Sequence, residues 1–189
     1  MKTKSFKLFT SLLLILISIN GFSQEKWSVD VSHSSVNFAV SHLIISETTG
    51  SFDAFTIDAT TEANFENPVF TVAIETASIN TKNEGRDKHL RANDFFDAKQ
   101  FPTITFKQKS FKKLEGKNIE ITGDLTIKGI TKPVVLKGKI NGVVKNKYGT
   151  KAGLKLATTI KRTDFNIGGS GGSIGEEVTL TINLEMNKK

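Results

Sequence analysis

The chain has 189 residues, no cysteine, and 26 Lys and Arg against 19 Asp and Glu, a formal net charge of +7. Without cysteine there is no disulfide framework, no thiolate nucleophile and no acylated cysteine anchor, so an ordinary apolar core must hold the fold. The lysines are scattered along polar strand faces and form no basic stripe, which argues against nucleic acid as a partner.

Met1–Lys7 carries three lysines and no acid, Leu8–Ile19 is mostly apolar, and Gly21 and Ser23 are small. This pattern predicts a secretory signal peptide over 1–23, cleaved after Ser23, and a periplasmic or secreted protein. The apolar run falls short of the roughly 18 residues that span a bilayer, and no later stretch approaches that length, so no stable membrane insertion is expected. Residues 24–189 then form a single domain with +4 charge, the lysines at 2, 4 and 7 having left.

From there the chain alternates apolar and polar residues. Strands are expected near 27–40, with Val36, Phe38 and Val40 on one face, near 48–60 and near 69–77. The second changes parity between Ala54 and Phe55, the mark of a β-bulge. Next comes a segment unlike the rest: Asn83 caps a short helix through about Arg91, and Pro102 ends anything helical. Leu90, Phe95 and Phe96 would form a lid over one mouth of a barrel. Arg86, Asp87 and His89 would either brace that lid or meet a polar ligand group. Further strands follow near 103–113, 117–128, 132–145, 150–161 and 177–187, joined by hairpins at 114–118, 128–133 and 146–149. The expectation is an all-β fold, an eight-stranded antiparallel barrel with one short helical lid segment; a two-sheet sandwich is the rival.

Gly123, Gly138, Gly142 and Thr158 fall on the inward phase, so the barrel reads as under-filled, although inward glycines can also serve curvature. The predicted tunnel wall is Phe38, Phe52, Phe106, Leu125, Ile127, Gly138, Leu156 and Ile182, suited to a long apolar chain. The strands offer no inward charge, so specificity must come from the mouth, where His42, Arg86, His89 and Arg162 are the head-group candidates. An Arg162–Asp164 clamp at the strand end is the structural alternative. Catalytic templates lack their parts: there is no Gly-x-Ser-x-Gly, no His-Glu-x-x-His, and His33, His42 and His89 are never spaced i, i+4. No enzyme activity, metal or cofactor is expected.

Five blocks in order carry a family resemblance: His33–Leu43; Gly50–Phe55; Arg86–Leu90 with Asp94–Asp97 and Phe101-Pro102; Gly123–Val134; and Arg162–Phe165. Together they resemble the YceI family of exported bacterial proteins. The resemblance implies a lipocalin-like barrel, often periplasmic, with an apolar tunnel that in some members holds a polyisoprenoid or another long-chain amphiphile, and it implies no known enzymatic activity. The family commonly has Gly where this chain has Asn166, a residue that also accepts positive φ. Gly168–Gly175 reads as a mobile loop rimming the cavity. The function expected is binding of a long-chain lipid, a polyprenyl phosphate or quinone-like isoprenoid, for storage or transport in the cell envelope. The alternatives are a fatty acid or amide binder, a structural or stress-response envelope protein with a packed barrel, and an enzyme acting on a lipid head group. A homodimer is compatible with the sequence.

Overall fold

A computed structural model describes residues 24–189; the signal-peptide expectation for 1–23 lies outside the described residues. The strands, in chain order, are β1 (Glu25–Val29), β2 (Ser35–His42), β3 (Ser46–Phe52), β4 (Phe55–Glu62), β5 (Glu66–Glu75), β6 (Ile79–Asn80), β7 (Thr103–Lys113), β8 (Asn118–Ile127), β9 (Ile130–Asn146), β10 (Gly149–Lys161) and β11 (Ile174–Lys188). One α-helix, α1 (Glu84–Leu90), stands between β6 and β7. Antiparallel pairing runs β1–β4–β5–β7–β8–β9–β10–β11 and returns to β1 through Trp27↔Lys188, which closes an eight-stranded barrel. Closure leaves no edge on this ring, so its backbone donors are used internally.

Eleven strands reduce to eight because three long ones are interrupted. The first breaks at Val31–His33, where the Asp30 carboxylate accepts from the Ser32 amide and hydroxyl and turns the chain; β1 and β2 both still pair with β11. The second breaks at Asp53–Ala54, the site of the parity change, so that β4 stays in the ring while β3 pairs with β2 and β6. The third breaks at Thr76–Ser78 between β5 and β6. Beyond these breaks β6 pairs only with β3, and β7 pairs with β5. Helix α1 and the turns after it occupy the connection from β6 to β7.

Local chemistry explains the turns. Lys128 and Gly129 both have positive φ (51° and 73°) between paired Ile127 and Ile130, the two-residue hairpin geometry that matches strand twist. Asn166 caps the turn Arg162–Phe165 in the left-handed region (φ 53°, ψ 38°), as its tolerance of that region leads one to expect.

The interior is packed at one end and hollow at the other. At the β1 end Trp27, Phe65, Ile119, Ile121, Leu154 and Met186 are almost wholly buried. Trp27 meets Phe65 edge to face at 4.8 Å, and its Nε1–H donates to Thr61 Oγ1 at 3.0 Å, so the one polar atom of the plug is satisfied. Among the described residues no helix is long and apolar enough to cross a membrane.

Candidate ligand cavity

The hollow end holds a cavity of about 530 Å³, within the ~300–1,000 Å³ usual for ligand sites. Its wall is apolar over most of its area: Val36 and Phe38 of β2, Phe52 of β3, Ile74 of β5, Ile104 of β7, Leu125 and Ile127 of β8, Ile160 of β10, and Val178 and Leu180 of β11. The polar lining consists of Ser41, His42, Thr48, Arg86, His89, Arg162 and Ser173. These come from the end of β2, the start of β3, α1, the end of β10 and the approach to β11, all at the helix-bearing end.

Of the predicted wall, Phe38, Phe52, Leu125 and Ile127 line the cavity; Phe106, Gly138, Leu156 and Ile182 do not. Phe106, Leu156 and Ile182 belong to the packed core or to its margin, and Gly138 shares a row with the last two, since Leu156 pairs with Gly138 on one side and Ile182 on the other. Alternation correctly reports which face points inward, but the row sits in the filled half. The glycines are not the source of space either. The Phe106 ring lies over Gly123, and a Cβ at Gly138 would overlap the Lys155 carbonyl oxygen. Gly142 loses the inward phase, because an extra residue at Asn141 lets Ile140 pair with Leu154 while Gly142 pairs with Gly153. The cavity opens instead where the interrupted strands leave the connection to α1.

Leu90, Phe95 and Phe96, predicted as the lid, all line the cavity and are half-buried. Phe96 packs edge-on against Phe52 at 5.8 Å. Asn83 caps α1 by accepting from the Arg86 amide at 2.9 Å. Buried Thr81 links the two charges behind it: its hydroxyl accepts from Arg86 Nε at 2.7 Å and donates to Asp87 Oδ1 at 2.6 Å, while its amide also donates to Asp87. Arg91 ties the C-terminus of the helix to the Thr76–Ser78 turn and to β6 by donating to the carbonyls of Ala77 and Ile79. On the other side Lys128 Nζ donates to the carbonyls of Asn93 and Asn166, and the Gly168 amide donates to Asp94 O. The lid is thus moored at both flanks. Neither Thr81 nor Arg91 was identifiable as part of this brace from sequence; the only signal was their proximity to the charged cluster.

The four head-group candidates all border the cavity, in different states. His89 is exposed; its Nε2–H donates to Asp94 Oδ2 at 2.7 Å, and this bond is the main reason the Asp94 carboxyl is held below its ordinary value. Arg162 is 5% exposed. It donates to the carbonyls of Gly175 and Ile167 at 2.8 Å, Gly169 at 2.9 Å and Ile174 at 3.0 Å. It therefore clamps the glycine-rich loop through carbonyls, not through Asp164 as the clamp alternative had it. Among the described residues no carboxylate lies within ion-pair distance of Arg162, so its charge is held at the cavity wall by carbonyl oxygens alone. His42 makes no side-chain hydrogen bond among the described residues.

Elsewhere Asp30, His33 and Glu185 bring potential metal-ligand atoms within 4.8 Å of one another. The Lys151 ammonium already sits among them, 2.5 Å from Glu185 and 3.4 Å from Asp30, so the cluster reads as an ion-pair network.

An eight-stranded barrel with a blind apolar cavity, a helical lid and polar groups gathered at the mouth defines a lipocalin-like binding barrel. The chain belongs to the YceI family: the YceI-like domain matches residues 27–186. Protein YceI of Escherichia coli O157:H7 is 41% identical over 157 residues, 81% of either chain. Among solved structures, the Campylobacter jejuni YCEI protein superposes with a TM-score of 0.72 at 38% identity, covering 78% of this chain and 89% of that one. A polyisoprenoid binding domain from Saccharophagus degradans shares the fold at a TM-score of 0.67 and 14% identity, covering 86% of this chain and 98% of that one.

Proposed function

We propose that the protein binds a long-chain amphiphilic lipid, tail inside the barrel and head at the mouth, and stores or carries it in the cell envelope. The observation that carries this is the separation within one cavity: deep walls of Val, Ile, Leu and Phe, and every polar lining group at the helix-bearing end. A buried tail contributes about 0.8 kcal/mol per CH₂ before the costs of association. Arg162, paired with no carboxylate, with Arg86 and His42 beside the same space, favours an anionic or strongly polar head. The packed β1 end makes the site blind, so a chain longer than the cavity must protrude from the mouth.

A polyisoprenoid is the preferred tail. The fold shared with the Saccharophagus domain supports that choice. The lining supports binding and not catalysis: His42 has no hydrogen-bonded acid beside it among the described residues, and the His89–Asp94 pair is largely exposed at the cavity rim. The lysine-led apolar sequence of residues 1–23 supports export. Competition between a polyprenyl phosphate and a fatty acid of similar length on the purified protein tests the reading. Saturable uptake with preference for the polyprenyl lipid is expected. Preference for the straight chain would reassign the tail, and uptake of neither would overturn lipid binding.

A further inference from the structure

The β2–β3 turn is built against the usual rule for exposed loops. Leu43, Ile44 and Ile45 are 54%, 98% and 86% exposed, consecutive, and aliphatic. Leu43 and Ile44 also have positive φ, 52° and 66°, a conformation that Asn or Gly adopts readily and a β-branched residue seldom does. Solubility and turn geometry both disfavour these side chains here, so their presence calls for a role outside the barrel.

Their position suggests that role. His42 and Ser46 close the turn as a pair, and the Leu43 amide donates to Ser173 O at 2.6 Å, which joins the turn to the glycine-rich loop. His42, Ser173 and Ile174 line the cavity. Just beyond, β11 carries extra residues between Ile174↔His42 and Val178↔Val40, so the two strands part beside the mouth. Glu47, Glu176 and Glu177 are exposed on these strands, with the exposed Lys161 opposite Glu177, so the charge here is mixed and a basic patch does not provide the attraction. An exposed aliphatic tip without a basic patch fits insertion into a bilayer's hydrocarbon margin better than electrostatic attachment.

We infer that Leu43–Ile45 is a membrane-contact tip that seats the cavity mouth on a lipid bilayer; this rests on the lipid-binding reading above and assigns the surface from which the ligand is taken. Flotation of the purified protein with phosphatidylcholine vesicles, with and without phosphatidylglycerol, tests it. The wild type should float with both and resist raised salt. An Ile44→Asn, Ile45→Ser variant, in which Asn suits the positive φ at 44, should lose at least about tenfold of vesicle association and keep its affinity for detergent-dispersed polyprenyl phosphate. Ile44→Trp should show blue-shifted emission on vesicles over the constant background of buried Trp27. Failure of the wild type to float, a variant that floats equally, or a variant that loses dispersed lipid in parallel would overturn the inference. A wild type that floats but takes up no lipid would keep the tip and remove the lipid-carrier reading instead.

Discussion

Replacing Arg162 by Lys keeps the charge and removes the fork. Four donated hydrogen bonds, at 2.8 to 3.0 Å, reach carbonyls on both arms of the glycine-rich loop, Ile167 and Gly169 on one and Ile174 and Gly175 on the other. An ammonium is a single point and can serve about two of these, so about two charge-assisted bonds are lost, each worth ~1.5–3 kcal/mol. Gly169 is exposed and its freed carbonyl will be hydrated, which reduces the sum to about 2–4 kcal/mol. In a domain of this size that lowers Tm by roughly 6–12 °C. Arg162→Met should lose more, about 3–5 kcal/mol, since no cation remains for any of the four. Thermal and denaturant unfolding of both variants read this directly. A lysine variant within about 0.5 kcal/mol of wild type would refute the clamp. The same pair separates clamp from head-group contact: if Arg162 also meets the ligand head, Lys should retain much of the affinity for an anionic lipid and Met should lose it, while a plain hydrocarbon binds both alike.

The lid should respond in stability and binding together. Phe95→Ala and Phe96→Ala each remove a half-buried ring, so about 1.5–2.5 kcal/mol is expected for each, with weaker lipid uptake in the same titration; full stability with no uptake would show that the rings touch ligand without closing the core. Gly138→Ala should destabilise strongly because its methyl meets the Lys155 carbonyl, whereas Gly142→Ala, with open space around it, should cost only about 1 kcal/mol for its unfavourable φ; equal melting temperatures for the two would remove the distinction. Asp53, which accepts from Ser51 Oγ and Asn80 Nδ2, has its carboxyl held below the usual 3.8 by the Ser51 bond first and the Asn80 bond second. A depressed folded value means that this stabilisation is complete above about pH 4 and is lost as pH falls further. The melting-temperature gap between wild type and Asp53→Asn should therefore be level at neutral pH and narrow in acid, and a gap that widens in acid would contradict the sign.

How much of this was legible in the sequence follows from what a period of two can encode. Val36, Phe38 and Val40, or Ile121, Leu125 and Ile127, declare which side of a strand faces the interior, and enough such strands with short hairpins declare a closed barrel. The pattern carries no coordinate along the barrel axis. Leu125 at the cavity and Leu156 in the packed layer look alike, and only the register of β8, β9, β10 and β11, including the bulge in β9, decides which end each reaches. Glycine was misleading for a related reason. A strand glycine marks a place where something approaches closely, and at Gly123 and Gly138 that something is a ring or a carbonyl of this chain, so the sign of the inference, crowding and not space, was hidden until the neighbours were known. At Gly142 one bulged residue reversed the face. The charged segment was legible as a short helix bordering the barrel's interior because Asn83, Pro102 and three apolar residues act locally. Its bracing was not, because Arg86 and Asp87 are linked through Thr81, and Arg162 through bare carbonyls: partners that carry no charge leave no complementary letter in the sequence to find.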